Sequence, residues 1–165
     1  RAYGRLKLGF GLLYTIPGIP LLYNGDELAL AGGNDPDNRR GMPWAGDLAR
    51  LNIAGEPTSV RQRDFHSFMR SLGGLRSTRT VLQTGKRTPI FVDDNLLVYL
   101  RHQGGDWVLV LVNHGAPRTE ILNLARWIQP GDMVDVILGN ADLTTNGADI
   151  SVTLPEMSFT LVGPR

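Results

Sequence analysis

The chain has 165 residues, of which 42% are apolar and 20% charged, and its formal net charge is +1. This composition is typical of a globular protein, and the near-neutral charge with scattered arginines argues against nucleic acid or an acidic membrane surface as a partner. The absence of cysteine excludes disulfides, thiolate metal sites and cysteine nucleophiles. No stretch reaches the ~20 apolar residues that a spanning helix requires.

The first segment predicts a helix from Tyr3 to Tyr14, because its apolar residues recur at helical spacing. Three glycines within it indicate close packing against a neighbour, since each weakens a free helix by roughly 1 kcal/mol. The chain starts in the middle of this pattern, without Met or leader character, so we expect a protein that is truncated at its start. Pro17-Gly18 ends the helix.

The run Pro20–Tyr23 is almost wholly apolar, which predicts a short strand buried on both faces, as in a parallel sheet. A long loop rich in Gly, Asn, Asp and Pro then extends from Gly32 to Gly55. Loops of this length in compact domains tend to be functional or disordered.

A second helix follows the loop. Pro57 suits an early helical turn, and Ser59–Gln62 fits a capping box. The apolar stripe of this helix predicts core positions, and Gly73-Gly74 is expected to end it. The stripe consists of Phe65, Phe68, Met69 and Leu72.

After about Val81 the apolar period changes to two, with turn residues between short runs, which predicts a small antiparallel sandwich. We therefore expect part of one domain over residues 1–80 and a separate all-β domain over residues 81–165. The predicted strands are Ile90–Val92, Leu96–His102, Trp107–Asn113, Val134–Leu138, Ile150–Leu154 and Phe159–Val162.

Two consecutive segments carry a family resemblance. Residues 17–27, PGIPLLYNGDE, resemble the last barrel strand of glycoside hydrolase family 13, the α-amylase family. Residues 32–44, GGNDPDNRRGMPW, resemble a loop of its neopullulanase, cyclomaltodextrinase and maltogenic amylase subgroup, and the run Trp107–Asn113 is similar to the C-terminal sandwich of the family. Asn24, Asn38 and Gly41 depart from the subgroup pattern, which bears on fine substrate preference.

The resemblance implies an α/β fragment, the last strand and helices of a (β/α)8 barrel, followed by the antiparallel sandwich. The active site of such barrels lies at the C-terminal ends of the strands. The family's catalytic carboxylates lie on barrel strands four, five and seven, which precede Arg1. A retaining glycosidase needs an acid and a nucleophile ~5 Å apart, so we expect no catalytic residue in this chain and no activity from it in isolation.

The loop offers chemistry suited to sugars, because Arg presents a fork of donors and a carboxylate presents paired acceptors. The resemblance matches Asp35 and Arg39 to positions that hold the non-reducing-end glucoses of an α-glucan. On chemistry alone, a salt bridge between Asp35 and Arg39 that orders the loop is the stronger interpretation, and the resemblance favours sugar contact. Asp37 and Arg40 are predicted to order the loop.

Other chemistry-bearing residues have plainer interpretations. Asp26-Glu27 is an adjacent carboxylate pair, but neighbours on a strand point to opposite faces and cannot flank one bond. The three histidines lack metal-ligand spacing, so no metal site is predicted, and we expect no cofactor. The three tryptophans, Trp44, Trp107 and Trp127, could stack on sugars, although buried packing is the commoner role.

The sequence thus predicts a piece of a retaining α-1,4-glucan hydrolase that supplies donor-side sugar contacts and the C-terminal β domain. The expected partner in the intact enzyme is an α-glucan oligosaccharide, and the isolated chain could self-associate through apolar surface. Two alternatives remain open: a non-catalytic structural or glucan-binding domain, and a fragment of a transglycosylating relative such as a trehalose synthase or amylosucrase.

Overall fold

The computed structural model describes residues 2–42, 60–129 and 132–165. Within these residues, three helices and eight strands follow one another, with two 3-10 turns at Asp26–Leu28 and Asp37–Arg39. The helices are α1 (Ala2–Thr15), α2 (Val60–Thr78) and α3 (Thr80–Thr84). The strands are β1 (Lys86–Val92), β2 (Leu96–Gln103), β3 (Asp106–Asn113), β4 (Arg118–Asn123), β5 (Val134–Leu138), β6 (Asp142–Asn146), β7 (Asp149–Leu154) and β8 (Ser158–Pro164).

The strands form two antiparallel sheets. One has five strands in the order β1-β2-β3-β8-β5, and the other has three in the order β4-β7-β6. All paired neighbours run antiparallel. The predicted change to antiparallel strands after residue 81 is therefore confirmed, and the structure adds β4 and β6, which the sequence pattern did not indicate.

The two sheets face each other across an apolar core. Alternate residues of β3 point into it from the five-stranded sheet, among them Trp107 and Leu109, and Ile150 and Val152 of β7 meet them from the other sheet. Each of these four side chains is buried. Period-two patterning places apolar side chains on one face of each sheet, and burying those faces against each other stabilises the pair.

The helices cover the opposite face of the five-stranded sheet. Leu8 of α1 and Leu72 of α2 share a second apolar core with Tyr99 of β2, Val110 of β3 and Phe159 of β8. The central strand β3 is consequently buried on both faces, which explains its nearly continuous apolar sequence. Among the described helices none is long and apolar enough to cross a membrane.

Helix α1 approaches β8 at Gly11. A β-carbon built on Gly11 would lie 2.3 Å from the nearest ring atom of Phe159, far inside van der Waals contact. Gly9 faces open space, with no atom within 4 Å of the position that a β-carbon would take. The close packing that the glycines of this helix predicted is thus found at Gly11.

We expect Gly11→Ala to lower the free energy of unfolding by about 1–3 kcal/mol, because the added methyl group overpacks a buried ring. Gly9→Ala is the matched control. It should stabilise the protein by up to about 1 kcal/mol through helix propensity alone. Urea denaturation followed by circular dichroism measures both variants, and equal responses would contradict the close approach of α1 to β8.

Helix α2 differs from its prediction at its end. The buried residues Phe65, Met69 and Leu72 confirm the predicted apolar stripe, and Phe68 is half-buried. The helix does not stop at Gly73-Gly74 but continues to Thr78. The hydroxyls of Ser77 and Thr78 donate to the carbonyl of Gly74 within the last turns. Pro57 and Ser59, part of the predicted N-terminal signal, lie outside the described residues.

The predicted strand at Pro20–Tyr23 is wrong for this structure. The segment has no regular secondary structure and pairs with no strand in the described part of the chain. Its side chains are not buried on both faces, since Leu21 is 85% exposed and Ile19, just before the segment, is 97% exposed. A continuous apolar run forms a buried strand only when neighbouring strands cover it, and the described sheets lie elsewhere.

Two arginine side chains connect the C-terminal end of α1 to the rest of the fold through hydrogen bonds. Arg101 of β2 is fully buried, and its guanidinium donates to the carbonyls of Thr15 and Gly85. Arg76 of α2 donates to the carbonyls of Tyr14 (2.6 Å) and Leu82 (2.7 Å). Helix ends leave carbonyls without intrahelical partners, and these arginines supply donors to them. Burial lowers the pKa of Arg101 from its ordinary value.

Candidate functional site: the loop of residues 32–42

The loop that follows the segment Pro20–Tyr23 is held by hydrogen bonds to one carboxylate. Asp37 Oδ2 accepts the backbone N–H of Gly33 at 2.7 Å, and the guanidinium of Arg40 donates to both oxygens of Asp37 from Nε and Nη2, each at 2.9 Å. A 3-10 turn occupies Asp37–Arg39. These contacts agree with the prediction that Asp37 and Arg40 order the loop.

Asp35 and Arg39 lie on the exposed side of this turn. Arg39 Nε is 2.8 Å from Asp35 Oδ1, and the side chains of Arg39 and Asp35 are 69% and 62% exposed. Within the described residues, the two terminal nitrogens of Arg39 and the second oxygen of Asp35 have no partner. The structure brings the two predicted site residues together as an ion pair, with a donor fork and an acceptor oxygen facing water.

The electrostatics of the loop favour a charged Asp37. The backbone N–H of Gly33, and then Arg40, lower the pKa of Asp37 from its ordinary value. Because the pKa is lower in the folded loop, the stabilising contribution is complete above the unfolded pKa and is lost as the pH falls through the folded pKa. The contribution of the charged Asp37 carboxylate to the loop is therefore present at neutral pH.

One contact ties the loop to the preceding segment. Asn24 Nδ2 donates to the carbonyl of Arg40 at 3.2 Å. Asn24 is one of the residues at which the sequence departs from the subgroup pattern. The asparagine at this position supplies a hydrogen-bond donor to the end of the loop.

Asp26 and Glu27 lie in a 3-10 turn, Asp26–Leu28, and not on a strand. The prediction that they occupy opposite faces of a strand is therefore wrong. Asp26 Oδ2 accepts the backbone N–H of Tyr23 at 2.8 Å, which is a turn-forming contact. Burial raises the pKa of Tyr14 above its ordinary value, and the negative charge of Glu27 raises it further.

The remaining candidates are spread over the fold. Trp107 is buried between the two sheets, Trp127 is half-buried with its ring 6.1 Å from that of His102, and Trp44 lies outside the described residues. His102 Nε2 is 2.9 Å from the hydroxyl of Thr88. In the described ranges no group of three His, Cys, Asp or Glu side chains could hold a metal ion.

A groove of about 510 Å³ lies away from the loop, between α1, α2 and the turn from β7 to β8. Tyr3, Lys7, Asp64 and Glu156 contribute to its lining. Lys7 Nζ and Asp64 Oδ2 are paired at 2.6 Å. The groove contains no residue of the 32–42 loop, so the predicted site residues and this groove are separate features.

Sequence reasoning missed the roles of Arg101 and Arg76, because it took the scattered arginines as solvated surface. A signal was available, since Arg101 continues a run of apolar residues, Leu96–Leu100, at the spacing of a strand that is buried throughout. A charge in such a strand must be paired or hydrogen-bonded. Arg76 gave no such signal, since it lies in the last turn of α2 where basic residues are common.

The known proteins that match this chain in sequence carry the names of enzymes that act on glucans. No family model matches the chain. A cyclomaltodextrin glucanotransferase from Klebsiella oxytoca is 29% identical over 162 residues, which cover 93% of this chain and 22% of the relative. A cyclomaltodextrinase from Geobacillus thermopakistaniensis is 30% identical over 119 residues, 71% of this chain and 18% of the relative.

Solved structures resemble the fold over nearly its whole length. A debranching enzyme from Nostoc punctiforme has a TM-score of 0.76 and 28% identity, covering 97% of this chain and 31% of that chain. An α-amylase from Anoxybacillus has a TM-score of 0.79 at 23% identity, covering 99% and 33%. The chain spans about a fifth of the length of the sequence relatives and about a third of these structures. In sequence and in fold the chain is therefore similar to the C-terminal part of enzymes of the α-amylase family, glycoside hydrolase family 13.

Proposed function

We propose that the chain is part of a retaining α-1,4-glucan hydrolase of the cyclomaltodextrinase and neopullulanase type, in which Asp35 and Arg39 contact glucose units remote from the broken bond. One observation carries the proposal: the ion pair stands on the exposed side of an ordered loop, with the terminal nitrogens of Arg39 free among the described residues. A donor fork beside an acceptor oxygen suits two neighbouring sugar hydroxyls.

The names of the relatives support the substrate class. They include a cyclomaltodextrinase, a cyclomaltodextrin glucanotransferase and amylopullulanases, for example from Thermoanaerobacterium saccharolyticum (26% identical, 93% of this chain). An α-glucan oligosaccharide is accordingly the proposed ligand. The glucanotransferase keeps transglycosylation as a second candidate reaction, alongside the trehalose synthase and amylosucrase types, and a purely structural or glucan-binding role is the alternative from another class.

We propose further that in the intact enzyme residues 1–80 complete a (β/α)8 barrel, in which the segment Pro20–Tyr23, unpaired among the described residues, pairs with neighbouring strands as the last strand, while residues 81–165 form the C-terminal β-sandwich. The support is the exposure of Ile19, Leu21 and Tyr23, alternate residues whose side chains are 97%, 85% and 57% exposed. A neighbouring strand would cover them. In the isolated chain the same surface would favour self-association.

The proposal assigns the catalytic carboxylates to the part of the enzyme that precedes this chain, so the isolated chain should hydrolyse no α-glucan. Barrel enzymes of about 250 residues place catalysis at the strand ends. The role of the 32–42 loop is then substrate binding alone.

Arg39→Ala in the intact enzyme tests the sugar contact. Removing a charged hydrogen-bond donor should cost about 1.5–3 kcal/mol of binding. KM for long malto-oligosaccharides should rise with little change in kcat if the contact is equally strong in the ground and transition states. A substrate of maltose size, too short to reach the loop, should be affected much less. Steady-state kinetics on both substrates measure the difference.

Arg165→Ala is the matched control, because Arg165 is also exposed (66%) and also forms a surface ion pair, with Asp135 at 2.9 Å. An exposed pair contributes roughly 0–1 kcal/mol to stability, so both variants should keep their melting temperatures. Equal kinetic losses on short and long substrates, together with a lowered melting temperature for Arg39→Ala, would favour the loop-ordering ion pair and overturn the sugar contact.

A further inference from the structure

The two ion pairs of the loop have different surroundings. The Asp37–Arg40 pair makes three hydrogen bonds inside the loop and one link beyond it, through the Arg40 carbonyl and Asn24. The Asp35–Arg39 pair makes contact only within itself among the described residues. We call Asp37–Arg40 the inner pair, because its hydrogen bonds close the loop. We call Asp35–Arg39 the outer pair, because it is exposed to solvent.

The backbone of the loop leaves little space for rearrangement. A β-carbon on Gly32 would lie 2.8 Å from the Cα atom of Asn38, so the two limbs of the loop are in backbone contact. The N–H of Asp37 donates to the carbonyl of Asn34 at 2.8 Å, and the N–H of Arg39 donates to that of Pro36 at 3.0 Å. The turn between the limbs therefore sets the separation of residues 35 and 39.

We propose that Asp37 and Arg40 are positioning residues for sugar binding, acting through Asp35 and Arg39 and not touching the sugar themselves. The inference rests on the proposed function of the outer pair. The carboxylate of Asp37 is fully engaged by Gly33 and Arg40, which leaves its oxygens occupied. Holding the outer pair in its bound geometry before the sugar arrives lowers the ordering cost of binding.

A double-mutant cycle in the intact enzyme separates positioning from direct contact. We expect Asp37→Ala to raise KM for long malto-oligosaccharides about tenfold, a change that corresponds to about 1.4 kcal/mol, with kcat nearly unchanged. In the background of Arg39→Ala the same substitution should have a much smaller effect, because one of the two groups through which it acts is already gone. Asp142→Ala, an exposed carboxylate on β6, is the control and should change neither parameter.

Arg40→Lys provides a second variant should Asp37→Ala fail to fold. Lysine keeps the charge but cannot bridge both oxygens of Asp37, so a smaller rise in KM is expected, and it should shrink further when Arg39 is already alanine. Amide hydrogen exchange at Gly33 should quicken in both variants while exchange in β3 stays unchanged, which excludes a general loss of stability.

The outcomes are distinct. Losses from Asp37→Ala that add fully to those from Arg39→Ala would overturn the positioning role and leave the sugar contact standing. A slower kcat with unchanged KM would also overturn it. No loss from Arg39→Ala alone on long substrates would overturn the proposed function, and the positioning role with it. Non-additive KM effects with preserved kcat are the expected result.

Discussion

Arg101→Met should lower the free energy of unfolding by about 2–4 kcal/mol. Methionine fills the space of the arginine stem but donates no hydrogen bond, so the buried carbonyls of Thr15 and Gly85 lose their partner. An unsatisfied buried acceptor costs about 1–3 kcal/mol. Part of this loss is offset because a buried charge is removed, as the lowered pKa of Arg101 indicates. Chemical denaturation measures the change.

Arg87→Met is the control for this substitution. Arg87 lies directly opposite Arg101 in the β1–β2 ladder but is exposed, with its guanidinium 5.5 Å from the centre of the Tyr99 ring. Its replacement should cost no more than about 1 kcal/mol. Arg101→Lys should be intermediate, since one ammonium group cannot reach both carbonyls as the guanidinium does. An equal response of the two methionine variants would show that the buried hydrogen bonds contribute little.

Phe159→Ala is expected to lower the free energy of unfolding by about 3–5 kcal/mol, the range for removal of a buried phenylalanine. The Phe159 side chain is buried, packs edge-on against Phe68 with ring centres 6.0 Å apart, and meets α1 at Gly11. Its removal leaves a cavity where α1, α2 and β8 converge. Urea denaturation followed by both circular dichroism and tryptophan fluorescence is the measurement.

Two further variants delimit the effect. Phe159→Leu should cost less than the alanine variant, because it preserves most of the buried volume. Ile121→Ala removes an apolar side chain that is 73% exposed on β4 and should change stability by less than about 0.5 kcal/mol. A loss below about 1 kcal/mol for Phe159→Ala would contradict a shared core between the helices and the sheet.

The strands that alternate strongly could be predicted from sequence, and those with weak alternation could not. The bounds of β5, Val134–Leu138, agree with the prediction, and β2 and β3 differ by a residue at an end. The edge strands β4 and β6 carry mostly polar residues, because only one side of each faces the core. Hydrophobic periodicity detects burial, and these strands bury few side chains.

Long-range contacts account for the other differences. Nothing local indicated that α2 would continue through Gly73-Gly74, since glycine favours a helix end on propensity alone. Packing of Leu72 and the contacts of Arg76 beyond that point hold the last turns. The strand predicted at Pro20–Tyr23 is absent because a long-range contact is missing. The described sheets place no strand beside this apolar run.

The candidate site was predictable in part. The sequence left a salt bridge and a sugar contact as alternatives for Asp35 and Arg39 and predicted that Asp37 and Arg40 order the loop. The structure contains both ion pairs, and the sugar contact stays a prediction. Sequence spacing could not show that the backbone N–H of Gly33 and the side chain of Asn24 complete the loop. Such contacts depend on the path of the backbone, which residue types alone do not determine.

The helix-covered face of the five-stranded sheet determines where the chain could be divided. A shortened protein that starts after residue 80 would keep both sheets and the core between them, but it would lose α1 and α2. Five side chains that are now buried would become exposed to solvent: Tyr99, Val108, Val110, Phe159 and Leu161. Exposed apolar patches of this kind promote aggregation. Protein engineers who wish to transfer this β domain to another protein should therefore move the helices with it.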